Sequence, residues 1–194
     1  MTKSLGVIST VLAAVLAWAA PAMSQAAPTA TAPPSAPPPP PATKVEAFQP
    51  AAGTIFTIGY NDLGTIGYSI VVDARELTDA RGTKARGVTV AVIESQYRTE
   101  RAFIDADELP ELIRGIDALL AVKANPTRYE NFEVQYTTKG ELEISAFGSG
   151  DKVSYAVRAG RVTTAQSRIN EDGLRKLRGM FDAANKLFSA QPGQ

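Results

Sequence analysis

One stretch of this chain occurs twice, 65 positions apart, and the repeat constrains the fold more than any other feature. Each copy has the pattern of a strand end, an acidic helix start and an amphipathic helix. A repeated supersecondary unit predicts an internally duplicated architecture. The matched pairs are Ile104 and Ile169, Leu109 and Leu174, Leu112 and Leu177, and Asp117 and Asp182.

Short β-branched and aromatic runs precede each of the two predicted helices, and several of them alternate between polar and apolar residues. We therefore predict an α+β domain, an antiparallel sheet of about eight strands with two helices. It is built as an internal duplication of a ββββα unit, with repeat one at about 54–122 and repeat two at about 131–188. The runs that predict strands are 54–60, 65–73, 87–93, 97–104, 132–136, 141–146, 153–157 and 162–169.

The first 43 residues have the composition of a leader and a spacer. Lys3, an apolar run from Leu5 to Ala20 and small residues after Pro21 predict a secretory signal peptide over residues 1–26. Residues 27–43 are almost wholly Ala, Pro, Thr and Ser, which predicts a disordered linker. The single folded domain is predicted at residues 44–190. An uncleaved membrane anchor is the alternative for the leader, although its apolar run is short for a spanning helix.

The composition excludes several classes of chemistry. The chain has no Cys and no His, which rules out disulfides, Ser-His-Asp and Cys-His catalysis, and zinc or copper sites built on imidazole or thiolate. The 20 basic residues balance the 20 acidic ones, so no electrostatic field favours nucleic acid. No phosphate-binding or dinucleotide motif is present, and we predict no cofactor.

A polar stretch from Arg75 to Arg86 reads as the longest loop of the domain, and its basic residues Arg81 and Lys84 are candidates for holding an anionic ligand. Arg86 completes this basic set. A solvated hairpin tip explains the same residues equally well. Upstream, 61–64 has the chemistry of a hairpin turn, and the sequence echo on its two sides suggests a surface aromatic pair. That pair consists of Tyr60 and Tyr68, which join the three basic residues as candidates for binding a ligand.

The densest acidic cluster comprises Asp105, Asp107, Glu108 and Glu111. Such carboxylates are able to hold Ca²⁺ or to act as a glycosidase pair. They also suit a helix start, because acids there complement the helix dipole and satisfy free N–H groups. We interpret the cluster as a helix cap near Asp107. The matched Asp117 and Asp182 are interpreted as surface ion pairs, each with an arginine of its own helix, Arg114 or Arg178.

Taken together, these features predict an exported, non-catalytic binding or interaction module of a cell envelope, periplasmic or secreted, with an envelope protein or glycan as its partner. Two alternatives stay open: a carboxylate-dependent hydrolase of envelope polysaccharide, and a structural homodimer formed through a strand edge. The hydrolase requires a cleft in which glutamates of the polar sheet face meet. The candidates for that role are Glu133, Glu141 and Glu143.

Overall fold

A computed structural model of the chain describes residues 39–48, 53–123, 126–149 and 152–190. The predicted signal peptide at residues 1–26 and most of the predicted linker lie outside these ranges. None of the described helices is both long enough and apolar enough to cross a membrane.

The α+β fold and the duplicated ββββα unit are confirmed. The eight strands form two separate four-stranded antiparallel sheets, and each sheet takes its strands in chain order. A short helix, α1 (Lys44–Ala47), precedes the first copy. The first copy is β1 (Phe56–Ile66), β2 (Ile70–Asp79), β3 (Lys84–Ser95), β4 (Arg98–Asp105), a 3-10 turn (Ala106–Glu108) and α2 (Leu109–Leu120). The second copy is β5 (Asn131–Thr137), β6 (Glu143–Ser149), β7 (Lys152–Ala159), β8 (Ala165–Ile169) and α3 (Glu171–Ser189).

Two turns lie elsewhere than the sequence suggests. The predicted turn at 61–64 is wrong, because β1 continues through it with a bulge between Asp62 and Gly64, and the chain reverses only after Ile66. Gly64 has φ +124°, so it takes the bulge conformation that other residues rarely adopt. The predicted loop at 75–86 is also mostly strand, and only residues 80–83 connect β2 to β3.

A single hydrophobic core joins both sheets and both long helices. Alternate residues of β2 and β3 face it, such as Val72 and Val90, and their counterparts Ile144 and Val157 face it from β6 and β7. Leu112 and Leu177 are fully buried, as the helical spacing predicts. The two copies therefore fold around one shared interior rather than two.

The two helices are exchanged between the copies. Neither helix packs mainly on the strands that precede it in its own copy. Helix α2 packs mainly on β5 and β6, where Gly115 lies against the ring of Tyr136. Helix α3 packs on β1, where Gly173 approaches Ile66 and Met180 approaches Gly64, and it also contacts β3, β7 and β8. Each copy thus supplies the helix that covers the first strand of the other.

The offset between the copies lengthens toward the start of each unit. It is 65 for the helices and for Ile104 and Ile169 in the strands before them. Val88 and Tyr155, which pair with those isoleucines, are 67 positions apart. The next paired residues, Ala74 and Ala146, are 72 positions apart. The sequence repeat is visible only near the helices because turn lengths differ upstream.

Residues 39–48 form a strap across the outer face of the first sheet. Val45 packs on Leu77 and Ala85, with Phe48, Phe56 and Phe103 at the margin of this second small cluster. Thr43 caps α1 by accepting a hydrogen bond from the Glu46 amide, and it is itself buried. Residues 39–43, which the sequence assigns to the linker, therefore contact the domain.

Candidate binding surface

A shallow basin of about 430 Å³ lies where three separate segments meet. Lys44 comes from α1, Lys84 and Arg86 come from the start of β3, and residues 105–107 span the end of β4 and the 3-10 turn after it. Lys84 and Arg86 lie two positions apart on one strand, so their side chains share a face of the sheet. Further along β3 the same face packs into the hydrophobic core, whereas the part that bears Lys84 and Arg86 extends beyond the helices. The residues on this face are therefore polar at the basin and apolar in the core.

Glu76 organises the basic side chains of the basin. It lies directly opposite Arg86 in the β2–β3 register. Arg86 Nε donates to Glu76 Oε2 at 2.5 Å, and Lys84 Nζ lies 3.3 Å from Glu76 Oε1. The hydrogen bond from Arg86 lowers the pKa of Glu76 below its ordinary value, with Lys84 adding to the effect. The three groups together carry one net positive charge.

A second ion pair closes the other side of the basin. Lys44 Nζ donates to Asp107 Oδ2 at 2.6 Å. This hydrogen bond raises the pKa of Lys44 and lowers the pKa of Asp107. Both side chains are more than half exposed, so the pair stabilises the fold little. Lys44 is free to rearrange toward a ligand at low cost.

Asp105 fixes the floor of the basin. Its carboxylate is almost fully buried and accepts hydrogen bonds from the backbone amides of Lys44 and Val45, at 2.9 and 3.1 Å. These amides belong to the first turn of α1 and have no partner inside that helix. Asp105 therefore caps the strap and not the helix that follows it in sequence.

The interpretation of the acidic cluster as a cap of the first long helix is wrong for this reason. Neither Asp105 nor Glu108 makes a side-chain capping hydrogen bond to its own helix. Glu108 is only 8% exposed and accepts a hydrogen bond from the amide of Lys139 at 2.8 Å. In the second copy the cap is present, since Asn170 Oδ1 accepts from the amide of Gly173 at 2.8 Å.

The five residues predicted to bind a ligand fall in four places. Lys84 and Arg86 line the basin. Arg81 lies at the hairpin tip, with a side chain 87% exposed, and pairs with Asp79. That carboxylate is partly desolvated, which opposes ionisation, but hydrogen bonds from Thr83 and Arg81 lower its pKa. The remaining two are Tyr60 and Tyr68.

The β1–β2 register does not bring the two tyrosines together as predicted. Tyr60 lies opposite Arg75 and lines a separate depression of about 220 Å³ with Leu187 and Phe188 of α3. Tyr68 is 99% exposed in the β1–β2 turn. Six residues of strand separate Tyr60 from the end of β1, a rise of roughly 20 Å. The two rings therefore belong to different surfaces.

Sequence reasoning missed Lys44 and Asp107 as parts of the basin and Glu76 as the partner of its cations. The signal for Glu76 is present in the sequence, because pairing 70–79 with 84–92 as a tight hairpin places it opposite Arg86. Lys44 and Asp107 are 63 residues apart, and only the docking of the strap brings them together.

Arg161 holds the strap at its other side. Its Nη1 donates to the carbonyl oxygen of Pro40 at 2.6 Å and to Glu46 Oε1 at 3.1 Å, and its Nε lies 3.5 Å from Glu141 Oε1. The hydrogen bond to Glu46 raises the pKa of Arg161 further. A depression of about 250 Å³ surrounds this contact. The second copy thus anchors the segment that leads into the first.

The glutamates that a hydrolase would require are paired one by one. Glu133 accepts a hydrogen bond from Gln135 at 2.9 Å, Glu143 pairs with Arg158 across β6 and β7, and Glu141 lies beside Arg161. Within the described ranges, no group of three or more carboxylates is placed to hold a metal ion. Each of these three glutamates therefore makes a polar contact within the domain.

Comparison of this chain with protein families, with curated proteins and with solved structures found no match to any of the three.

Proposed function

We propose that this protein is an exported, non-catalytic binding module of the cell envelope, and that the basin of Lys44, Lys84 and Arg86 is its ligand site. The ligand is a carboxylate- or phosphate-bearing group of an envelope glycan or protein. Export is supported by the leader and the Ala/Pro-rich linker at residues 27–43, which together suit a domain held away from its point of attachment.

The observation that carries the proposal is a difference between the acidic and the basic side chains of the domain. The carboxylates of Asp105 and Glu108 accept backbone hydrogen bonds, and Glu143 is paired with Arg158. Hydrolysis by paired carboxylates needs an acid and a base or nucleophile across one bond, each reachable by the substrate. By contrast, the cations of the basin converge from two segments, α1 and β3, on an open surface. Such a surface suits binding.

A ligand anion would join the basin by sharing the cations with Glu76. Lys84 and Arg86 have donors in several directions, and a guanidinium binds a carboxylate or phosphate with a planar pair of N–H groups. Because Glu76 already holds both side chains in position, binding needs little reordering of long side chains. Glu76 is therefore a positioning residue in this proposal.

Binding and hydrolysis are separated by one assay on purified cell-wall sacculi. We expect the protein to co-sediment with them in a salt-dependent way and to release no soluble reducing sugar. The double substitution Lys84→Ala with Arg86→Ala should abolish most of the binding. A matched control removes two basic residues outside the basin, Arg128→Ala with Lys152→Ala, and should leave binding unchanged.

Glu76→Gln refines the test, because it removes the competing carboxylate and retains the side-chain shape. We expect this variant to bind at least as well as the unmodified chain. Release of reducing sugar would favour the hydrolase instead, and equal loss of binding in both double variants would show that only net charge matters. Export is checked by intact mass of protein from the expressing cell, with cleavage expected between Ser24 and Thr31.

A further inference from the structure

The first half of β1 is an uncharged, exposed sheet edge. Among the described residues β1 pairs only with β2, so its other side is an edge of the first sheet. The run 54–61 contains no charged residue and no proline. Ile55, Ile58 and Tyr60 in this run are 81%, 48% and 77% exposed. An edge of this kind is a template for pairing with another strand.

The other three edges of the two sheets are protected. Edge β4 carries Arg98 and Arg101, and turns of the second copy abut it: a Cβ added at Gly140 would lie 1.9 Å from the carbonyl oxygen of Phe103. Edge β5 carries Glu133 at its centre. Edge β8 is only five residues long and carries Arg168. Charge, coverage and shortness are the usual means of preventing edge-to-edge association, and among the described residues none of them protects the first half of β1.

We propose that β1 pairs antiparallel with β1 of a second copy of this chain, about a two-fold axis through Ile58. In that register Ile58 lies opposite Ile58 of the second copy, and Phe56 lies opposite the second copy's Tyr60. All three side chains belong to the outer face of the sheet, since they alternate along the strand. The first sheet of one chain thereby joins the first sheet of the other, and together they form one sheet of eight strands across the dimer.

The chemistry of the strand selects a copy of itself as the partner. The nearest charged residue, Asp62, lies opposite Thr54 in this register, so no like charges meet. Aromatic pairs and pairs of β-branched residues directly across strands are favourable. A charged partner strand would find no complementary charge in 54–61. This inference is independent of the basin, which lies on Lys44, Lys84 and Arg86.

Sedimentation velocity of the full chain, purified from the cells that express it, tests the pairing. We expect a concentration-dependent dimer. Ile58→Lys places two like charges opposite each other at the axis and should weaken dimerisation by about tenfold or more. Tyr68→Lys is the matched control, because it adds the same charge at a more exposed position in the following turn, and should leave the dimer intact. Circular dichroism verifies that each variant is folded, and Thr57→Lys replaces Ile58→Lys if that variant is not.

The absence of native cysteine allows a second, direct readout. Ile58→Cys places one thiol opposite its own copy and should give a covalent dimer on mild oxidation, whereas Tyr68→Cys should not. A monomer at every concentration would overturn the proposal, and so would a dimer that is as stable in a folded Ile58→Lys or Thr57→Lys variant as in the unmodified chain. Covalent dimers formed equally by the two cysteine variants would indicate random collision and would also overturn it.

Discussion

The two copies make the same helix–strand contact, but the large and the small side chain are exchanged between helix and strand. In the contact of α2 with β5, the helix supplies Gly115 and the strand supplies Tyr136; a Cβ added at Gly115 would lie 2.5 Å from that ring. In the contact of α3 with β1, the helix supplies Met180, 65 positions after Gly115, and the strand supplies Gly64. Gly64 pairs with Val72 and Tyr136 pairs with Ile144, so the two strand positions are equivalent in their sheets.

This difference shows that the volume of the contact, and not the residue at either position, is what the duplicated fold retains. A close-packed interior accepts a large side chain on one side only if the opposite side is small. Because each contact joins a helix of one copy to a strand of the other, neither copy completes its packing alone. The exchange of helices makes the duplicated chain one cooperative unit.

The largest expected effect tests whether the copies are truly one unit. Leu112→Ala and Leu177→Ala should each lower the free energy of unfolding by ~2–5 kcal/mol, because each deletes fully buried methyl groups and leaves a cavity. Chemical denaturation followed by circular dichroism should show a single transition in both variants. Two separated transitions in either variant would show that the copies unfold independently, and would break the comparison.

The sequence predicts the common part of the copies better than the parts in which they differ. The 65-residue offset, the buried leucines and the ββββα unit follow from periodicity, because a helix must bury one face. The exchange of helices does not follow, since Gly115 looks like an ordinary helix residue until Tyr136 is placed against it. Likewise Asp105 looks like a helix cap, and only the docking of residues 39–48 shows which amides it binds.

The next test sharpens the small-for-large exchange. Gly115→Ala should destabilise the protein by about 1–3 kcal/mol, because the added methyl group must displace the Tyr136 ring, although alanine favours helix more than glycine. Gly179→Ala is the matched control on α3, where nothing lies within 4 Å of an added Cβ, and it should stabilise the protein by about 0.5–1 kcal/mol.

Combining Gly115→Ala with Tyr136→Leu gives the decisive measurement, a double-mutant cycle in chemical denaturant. The two substitutions should be less costly together than their separate costs predict, because the smaller side chain makes room for the methyl group. Additive costs would mean that Gly115 is retained for another reason.

A smaller effect separates the two helix starts. Asp105→Ala should reduce stability by about 1–3 kcal/mol, because it leaves two amides of the strap without their acceptor. Asn170→Ala, at the equivalent position of the second copy, should cost ~1 kcal/mol, the ordinary cost of losing a helix cap. Thermal melts of the two variants compare them directly. Limited proteolysis should cut residues 39–48 faster in Asp105→Ala only, and equal cutting in both variants would contradict this assignment.

The smallest effect concerns the matched aspartates, which have different partners in the two copies. The sequence predicts that each aspartate pairs with an arginine of its own helix. The carboxylate of Asp117 instead binds Arg178 of α3, with Nε–Oδ1 at 3.0 Å and Nη2–Oδ2 at 3.2 Å. This hydrogen bond raises the pKa of Arg178. Asp182 instead pairs with Lys186 one turn along α3 at 2.7 Å, which lowers its own pKa.

Asp117→Ala should therefore lower the denaturation midpoint slightly more than Asp182→Ala, and both should fall below the effect of losing the Asn170 cap, because all four charged groups are partly or largely exposed. A double-mutant cycle of Asp117→Ala with Arg178→Ala should show coupling, since a two-point contact holds two helices together. The corresponding cycle of Asp182→Ala with Lys186→Ala joins residues of one helix only and should show less. Greater coupling in the second cycle would mean that the contact between α2 and α3 depends on their buried faces alone.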